Sequence, residues 1–598
     1  MFVTAKSQVL NHRTLIRVDT KKKVTRISRT IQLNSKADTH LAQIAIPYSS
    51  YQKFNFIEAS IRNEDRHILR KIKKKDVTVR SDLSYDSFYT DGLIAEFTMH
   101  WDTYPYLITY TYEIIERDFL SIAHWYPILY SNYDTLSGDL EVQFPSDYPV
   151  HISYSNVLSL KDTIRENTRF LTCSTQEYPA VSDEVLAVPL AESLPHIDIV
   201  PQHFRYGVSG KTETWSSFGN WMDRLNANLY EIPEQEKKEI DHIITNCVNL
   251  REKVRRIYHY VQDRVRYINV TIDVGGLQSY PASYVSRNKY GDCKALSTYM
   301  KALLSYAKIP SHYALVNSGT TIERIRTEIP SQQFDHIILA VPMEKDTIWL
   351  ENTSSILPFD YLGTFTQNRN VLLVKDKGSA LCRTPALKKD DVHQEINYNF
   401  KLDSNGTGTV FLDQKCRGSV FEEFLTYHGD LPEQDLAEYS KELIPLPNVD
   451  FRNLTITHQD RDTTNCTLLG KAVCKSQFRD VGTYKVIQYP FLKLPNLEKK
   501  NIRKRPLRIS YPISQQNQVI YYLSEINPET VVLPRNRVLN SDFGTYQIML
   551  RKNGNTIKIT ESIYLKSGDY SLEEYSRFYT FVHSIATLQQ NTKITLKQ

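Results

Sequence analysis

The sequence predicts a multidomain α+β protein, with an antiparallel β-sandwich at the N-terminus, an α/β core in the middle and a β-rich region at the C-terminus. The chain has 598 residues, which is too many for one hydrophobic core at about 150 residues per domain. Alternating apolar and polar residues fill both ends of the chain, whereas helical spacing is clearest in the middle. Hydrophobic residues make up 41% of the chain and charged residues 24%, which is typical of globular proteins.

Residues 1–205 form the predicted β-sandwich. Segments such as TLIRVDT, VTRISRTIQL and YLITYTYEII alternate β-branched or aromatic residues with polar ones, and polar turns separate them. The basic cluster RKIKKK at 70–75 suits an anionic ligand or a solvated strand edge. We favour the strand edge, because lysines there discourage pairing with strands of other molecules.

Residues 206–375 form the predicted core. An aromatic, irregular segment at 206–232 leads to Pro233, after which apolar residues recur at spacings of three and four to about Tyr267. A loop with two glycines and Pro281 then leads to Cys293. Helical spacing follows Cys293 until Pro310 ends it, with apolar positions at Leu296, Tyr299, Met300, Leu303 and Leu304.

Cys293 is a candidate nucleophile because we expect it in the first turn of that helix. A free thiol has a pKa of about 8.5, and helix N-terminal amides together with a nearby imidazolium lower such values. The alternative is a small buried core cysteine. Asp292 precedes it at the position of a helix N-cap, which we favour over a catalytic role.

His336 and Glu351 are the candidate partners of Cys293. The segments Phe334–Val341 and Thr347–Glu351 read as two strands of a hairpin. A four-residue loop at 342–345 places His336 directly opposite Glu351, and a shift of one residue brings Asn352 there instead. Either side chain would hold the imidazole, as acids and amides do in other triads. The alternatives are a core histidine and a solvent-facing charge at a strand end.

An attack by Cys293 on an amide carbonyl needs donors for the oxyanion. The backbone amide of Cys293 is one candidate, and the side chain of Gln278 is a weaker one, since it also suits an ordinary loop amide. This chemistry needs no metal or organic cofactor, and the sequence shows no glycine-rich phosphate loop.

Residues 376–598 predict a β-rich region, with room for two subdomains. EINYNFKLD, GTGTVFLDQKC and several later segments alternate, and a short helix is expected after Ser419. Ser571 and Glu574 form a capping-box pattern before a helix, and KITLK ends the chain as a strand. The basic residues at 499–505 are interpreted as a solvated linker.

Composition excludes several classes of protein. The net charge of +5 is close to balanced and does not indicate nucleic acid. The seven cysteines are scattered and odd in number, so neither a zinc site nor a disulfide scaffold is expected, including a bond between Cys466 and Cys474 across a hairpin. No apolar run approaches the length of a membrane span. The N-terminus MFVTAKSQVL has no signal pattern.

The segments GDCKALSTYMKALL, FDHIILAVP and IWLENTSS together resemble the transglutaminase-like cysteine enzyme superfamily. More narrowly, the whole chain resembles multidomain bacterial proteins, common in Bacteroidetes, that carry this core between a DUF3857-like and a DUF3858-like domain of unknown function. The resemblance implies a papain-like α/β core with Cys293 as nucleophile and His336 as base. Glu351, in WLENT, stands where the superfamily usually has Asp in a WLDPT-like segment.

We therefore expect a thiol-dependent amide hydrolase or acyltransferase that acts through Cys293, His336 and Glu351. One alternative is a catalytically inactive transglutaminase-like scaffold that binds a peptide or glycan. Another is a peptide:N-glycanase-like amidase, since those enzymes use a similar core. The expected partner is a peptide, protein or glycopeptide substrate. The sequence leaves the acyl acceptor and the oligomeric state open. The resemblance implies a periplasmic or exported protein, and the missing signal favours the cytoplasm.

Overall fold

A computed structural model of the chain describes residues 6–597, except residues 20, 83–86, 272–275, 428, 431, 433–434 and 436–445. It is a multidomain α+β fold in which strands predominate. No helix in the described part of the chain is long and apolar enough to cross a bilayer. The division into residues 1–205, 206–375 and 376–598 stays a prediction.

The first part of the chain is almost entirely strands. They are β1 (Gln8–Val18), β2 (Lys23–Leu33), β3 (Gln43–Ser49), β4 (Lys53–Arg62), β5 (Ile68–Ile72), β6 (Thr78–Ser81), β7 (Ser87–Thr90), β8 (Gly92–Thr98), β9 (Tyr106–Glu116), β10 (Ala123–Trp125), β11 (Thr135–Pro145), β12 (Val150–Tyr154), β13 (Lys161–Arg165), β14 (Thr168–Tyr178), β15 (Ile197–Pro201), β16 (His203–Tyr206) and β17 (Val208–Lys211). The short helices are 3-10 turns at Lys36–Ala42 and Lys74–Asp76, and α1 (Leu190–Ser193).

An eight-stranded sheet organises this part, in the order β13-β14-β11-β1-β2-β9-β4-β5. Its pairings are antiparallel except that β1 runs parallel to β11. Two three-stranded sheets, β3-β8-β6 and β10-β15-β12, pack on it, each through its own cluster of buried side chains. The alternating pattern of the sequence follows from this packing, because each strand of the large sheet buries one face.

The middle part is mixed. Its elements are α2 (Trp215–Leu225), α3 (Glu234–Ile244), α4 (Leu250–Arg264), β18 (Arg266–Tyr267), β19 (Asn269–Thr271), α5 (Ala282–Asn288), β20 (Tyr290–Gly291), α6 (Cys293–Tyr306), β21 (His312–Val316), β22 (His336–Pro342), β23 (Thr347–Leu350), α7 (Gly363–Thr366), β24 (Asn370–Val374) and β25 (Ala380–Arg383). The antiparallel sheet β23-β22-β21-β24-β25 packs against α6, which the helices α3, α4 and α5 contact in turn.

Three local predictions in this part need correction. The segment 206–232 is not irregular throughout, because it contains α2, whose apolar side chains at Phe218, Trp221, Met222 and Leu225 are buried at helical spacing. The helical region after Pro233 is two helices, separated at residues 245–249. The loop before Cys293 contains α5; Gly275 of that loop lies outside the described residues.

The last part is again β-rich. Its elements are α8 (Lys389–Val392), β26 (Gln394–Leu402), β27 (Gly408–Cys416), α9 (Ser419–Phe424), β28 (Gly429–Asp430), β29 (Val449–Thr457), β30 (Cys466–Cys474), β31 (Phe478–Val481), β32 (Tyr484–Ile487), β33 (Leu507–Ile509), β34 (Ile513–Leu523), a 3-10 turn at Pro528–Thr530, β35 (Val531–Val532), β36 (Arg537–Ser541), β37 (Gly544–Asn553), β38 (Thr556–Leu565), β39 (Gly568–Tyr570), α10 (Leu572–Asn591) and β40 (Ile594–Lys597).

A nine-stranded sheet organises the last part, in the order β28-β29-β30-β27-β26-β34-β38-β37-β36. The predicted capping box is confirmed, since Ser571 accepts from the Glu574 amide and Glu574 accepts from the Ser571 amide. Cys466 and Cys474 lie at the two ends of one strand, β30, so the hairpin considered for them is absent. Cys466 instead lies opposite Cys416 of the neighbouring strand β27, and both cysteines are free thiols.

The basic residues at 499–505 include two buried arginines, which corrects the solvated-linker interpretation. Arg503 and Arg505 are 6% and 7% exposed. Both lie within 4 Å of the carboxylate of Glu184, in the N-terminal part of the chain. Buried cations need charged partners. Glu184, which both arginines share, is more than 300 residues away in sequence, and Arg503 also binds the nearby Glu498 at 3.0 Å.

Arg508 extends this junction to all three parts of the chain. Its guanidinium binds Glu192 from the first part and donates to the Ile322 carbonyl of the core. It also binds both carboxylate oxygens of Asp569, at 2.7 and 2.9 Å. The side chain of Arg508 is only 3% exposed, so hydrogen bonds to the two carboxylates take the place of hydration of its guanidinium.

Replacing Arg508 with alanine is expected to lower the free energy of unfolding by about 3 kcal/mol, because Glu192 loses its arginine partner and, of the described residues, Asp569 keeps only Arg324 as an ion-pair partner in a partly buried site. Thermal unfolding of the full chain measures this effect. Arg577→Ala is the control: its pair with Asp542 is exposed, so its loss should cost less than about 1 kcal/mol. Equal melting temperatures for the two variants would contradict the assigned role of Arg508.

Candidate active site

The sequence around Cys293 places its thiol at the start of α6. Asp292 is the N-cap, and its Oδ1 accepts from the Ala295 amide at 2.8 Å, which confirms the predicted cap. The other oxygen of Asp292 pairs with Lys294 at 2.5 Å. Gly291 is required just before the cap, since a Cβ there would lie 2.8 Å from the Cβ of Ala295. Cys293 itself is half-buried.

The face of α6 that carries Cys293 is turned toward the ends of β22 and β23. Ser297 lies one helical turn after Cys293 and therefore on the same face. Its hydroxyl donates to the Ile337 carbonyl at 3.2 Å and accepts from Asn352 at 3.1 Å. This packing brings the thiol of Cys293 close enough to His336 to contribute to the raised pKa of its ring.

The structure also brings His336 and Glu351 together, in a register that differs from the predicted one. Nε2 of His336 lies 2.9 Å from Oε2 of Glu351. In the hairpin of β22 and β23, Leu339 pairs with Leu350. If this register is continued by one residue, Glu351 lies opposite Ile338. His336, two residues before Ile338, is then the diagonal neighbour of Glu351. The predicted register was therefore wrong by two residues. A shift of two keeps both side chains on one face, which is why the contact still forms.

Burial and charge act on His336 in opposite directions. Desolvation of the ring, which is 9% exposed, disfavours the imidazolium, but the charge of the Glu351 carboxylate, the hydrogen bond to it and the neighbouring Cys293 prevail. Together they hold the pKa of His336 well above its usual range. Burial raises the pKa of Glu351 less than His336 and Thr353 lower it, so its pKa falls below the usual value.

Thr353 is a site residue that the sequence analysis missed. Its amide and hydroxyl both donate to Oε1 of Glu351, at 3.0 and 2.5 Å, while the other oxygen faces His336. Helix α4 supports the same segment: Tyr258 donates to the Glu351 carbonyl at 2.8 Å, and Gln262 donates to the carbonyls of Ser354 and Leu357. The sequence feature that could have indicated this role is the threonine of WLENT, two residues after Glu351.

Replacing Thr353 with valine, which keeps the shape and removes the hydroxyl, is expected to lower kcat/KM on an amide substrate about tenfold. The reason is that Glu351 loses a charge-assisted hydrogen bond worth about 1.5 kcal/mol or more and with it a fixed orientation toward His336. Thr353 is a positioning residue, so the alkaline limb of the pH–rate profile should move as well. Thr353→Ser should restore both properties; a uniform loss in both variants would indicate a purely structural role.

The two weaker candidates lie elsewhere. Nε2 of Gln278 donates to the Leu225 carbonyl at 3.1 Å and ties its loop to the end of α2. Asn352 is 5% exposed and donates to Ser297, not to His336. Phe365 packs edge-on against the imidazole, with ring centroids 5.7 Å apart, and is a contact that the sequence did not predict. Within the described residues, no group of three His, Cys, Asp or Glu side chains is placed to hold a metal ion.

Two family models match the flanks of this core. One is described as a domain of unknown function with a solved structure, DUF3857, and matches residues 19–182; the other has the same description, DUF3858, and matches residues 484–596. No curated protein is significantly similar to the chain.

The solved structures give the fold. A crystal structure of a "putative protease" from Parabacteroides distasonis ATCC 8503 is similar over 99% of both chains, with a TM-score of 0.66 and 12% identity. At that identity the likeness shows a shared fold. A "putative cysteine protease" from Cytophaga hutchinsonii covers 58% of this chain and 78% of its own, at 12% identity and a TM-score of 0.17. The match to an M1 zinc metallopeptidase from Deinococcus radiodurans covers 40% of this chain and 53% of the metallopeptidase chain, at 12% identity and a TM-score of 0.18. Neither of these two scores supports a structural argument.

Proposed function

The chain carries a DUF3857 domain at residues 19–182 and a DUF3858 domain at residues 484–596, and we propose that the core between them is a thiol enzyme that cleaves or transfers an amide bond. Cys293 is the proposed nucleophile, His336 its acid and base, and Glu351 the group that orients the imidazole. The observation that carries this proposal is the buried ring of His336, which lies 2.9 Å from the carboxylate of Glu351 and next to Cys293 at the start of α6.

The proposed reaction has two halves. The Cys293 thiolate attacks the amide carbonyl, and the Nδ1 proton of the His336 imidazolium passes to the leaving amine as the C–N bond breaks. The resulting thioester is then attacked by water or by a second amine, whose proton returns to His336 as the thiolate leaves. Glu351 accepts from Nε2 throughout and stays ionised, in keeping with its lowered pKa.

The oxyanion of each tetrahedral intermediate needs donors. The amides in the first turn of α6 have no partner within the helix, and the cap of Asp292 occupies only that of Ala295. We propose the amide of Cys293 as one donor. The pair between Asp292 and Lys294 supports this arrangement, because it fixes the first turn and neutralises the acid next to the nucleophile.

The test is to trap the acyl-enzyme. The protein is mixed with the p-nitrophenyl ester of an acylated amino acid and examined by intact-mass spectrometry, followed by turnover of peptide amides with and without a primary amine. We expect one acyl adduct on the wild type, none on Cys293→Ala, and adducts on Cys247→Ala, the control at another half-buried cysteine. Acylation that survives in Cys293→Ala would exclude the proposed nucleophile. Incorporation of the amine would identify a transferase, its absence a hydrolase, and release from a glycopeptide alone an N-glycanase-like amidase.

A further inference from the structure

A cavity of about 600 Å³ lies where the N-terminal part of the chain meets the core. Its apolar lining comes from Tyr51, Phe119, Leu120 and Tyr206, with Leu277 on the core side. Gln332 of the core completes that wall. The volume is in the range of pockets that bind small ligands. Most of the lining is supplied by the DUF3857 domain, at strand ends and loops.

Two core residues of the lining, Gln332 and Leu277, are near the proposed catalytic groups along the chain. Gln332 lies four residues before His336, so a fully extended chain would separate their Cα atoms by at most about 14 Å. Leu277 lies two residues before Ser279, whose hydroxyl accepts from Thr298 at 2.7 Å. Thr298 is five residues after Cys293, about 7.5 Å along α6. These separations are within the span of a peptide that extends a few residues from the scissile amide.

A second contact brings the N-terminal domain to the rim of the site. Strand β7 pairs with β19 of the core, and β18, just before β19, pairs with β20. Strand β20 ends at Gly291, two residues before Cys293. The N-terminal domain thus extends the chain segments that border the nucleophile.

Several polar groups of the cavity are paired with one another, whereas Arg117 and Asp118 line it as exposed charges and Oε1 of Gln332 is buried without a hydrogen-bond partner. Lys23 binds Glu116 at 2.6 Å and donates to the Ser121 carbonyl at 2.8 Å. Gln52 donates to the same carboxylate at 2.9 Å. Burial and Glu116 raise the pKa of Tyr206 to about 12, so its ring stays neutral. The two basic and two acidic side chains of the lining balance in charge, and the rest of the surface is largely aromatic or apolar, which favours an uncharged ring over a ligand that carries a net charge.

We propose that this cavity is a specificity subsite for an aromatic side chain of a peptide substrate, within four residues of the scissile amide. The inference rests on the proposed function and extends it, because it makes the DUF3857 domain the wall that selects the substrate. The subsite also explains why this domain borders the core at β7 and at the loop before Leu120.

The experiment compares quenched fluorescent hexapeptides of glycine, serine and alanine that carry a single Phe, Ala, Glu or Lys at successive positions. Wild-type protein should prefer Phe to Ala at one position, in kcat/KM. Tyr51→Ala should reduce that preference three- to tenfold, the range expected for loss of an aromatic contact, mainly through KM. Tyr154→Ala is the control, since Tyr154 is an exposed tyrosine of the same domain outside the cavity lining (44% exposed, against 55% for Tyr51). Cleavage without a Phe preference, or equal effects of the two variants, would overturn the subsite and leave the proposed catalysis standing.

A binding measurement separates the two proposals. The fluorescein-labelled Phe hexapeptide is titrated with Cys293→Ala and with the double variant that also carries Tyr51→Ala. Weaker binding of the double variant supports the subsite even if the wild type cleaves none of these peptides, in which case only the proposed catalysis fails. Equal binding overturns the subsite. Tighter binding of a glycosylated hexapeptide than of the Phe hexapeptide would also overturn it, because the cavity would then take a sugar.

Discussion

Alkylation of Cys293 by iodoacetamide at pH 6 is expected to slow on the order of 100-fold when His336 is replaced by alanine. An ordinary thiol with a pKa of about 8.5 is less than about 1% ionised at that pH. The pKa of His336 is held well above its usual range, so its ring is protonated at pH 6 and places a positive charge beside the sulfur of Cys293. Without the ring, the sulfur loses that neighbouring positive charge.

The measurement is the alkylation rate of the Cys293 peptide between pH 5 and 9, by mass spectrometry after digestion. Cys247, half-buried in the same core, is the internal reference, because its rate should be the same in both proteins. His242→Ala, at an exposed position of α3, controls for the loss of any histidine. If wild-type Cys293 reacts only as fast as Cys247 at pH 6, or if His336→Ala leaves its rate unchanged, the proposed thiolate–imidazolium pair does not exist. Turnover of an amide should fall by about 10²–10⁴ in the same variant.

Local patterns predicted the helix of Cys293 and the face shared by His336 and Glu351. The apolar spacing after Cys293 and the cap at Asp292 are local signals, so they fixed the start of α6. Strand alternation has a period of two, so a register error of two residues still left His336 and Glu351 on one face. The register itself depends on the position of the turn. The predicted loop at 342–345 makes Val341 and Asp346 the last pair before the turn, whereas the observed last pair is Pro342 and Thr347.

Features that depend on distant partners were not predictable in the same way. Helix α2 contains serine, glycine and asparagine, which are poor helix formers, and its helicity depends on burial of Trp221 and its neighbours in the core. Arg503 and Arg505 look like solvated charges until Glu184 is placed beside them. The role of the Thr353 hydroxyl follows only from the structure, in which it donates a hydrogen bond to the carboxylate of Glu351.

Replacing Glu351 with glutamine is expected to lower kcat/KM on an amide substrate by about 10²–10⁴. Glutamine cannot supply the negative charge that opposes desolvation of the His336 ring, so the pKa of His336 should fall. The imidazolium is the proton donor to the leaving amine and is lost as the pH rises through that pKa. The alkaline limb of the pH–rate profile should therefore move to lower pH in Glu351→Gln. Glu344→Gln, an exposed acid in the turn of the same hairpin, should leave the rate and the profile unchanged.

Replacing Glu351 with aspartate is the sharper test, because it restores the residue type that the transglutaminase-like superfamily usually has. By resemblance alone, the change should be neutral or favourable. The structure predicts a loss of about 10²-fold, since Glu351 reaches a diagonal neighbour and its Oε2 is already 2.9 Å from Nε2 of His336. Removing one methylene withdraws the carboxylate by about 1.5 Å, which breaks that hydrogen bond unless the strand end moves. The measurement is kcat/KM beside the alkylation rate of Cys293 at pH 6, and both should fall together. Wild-type values for both would mean that β23 shifts easily toward His336, so that the diagonal register does not explain the glutamate.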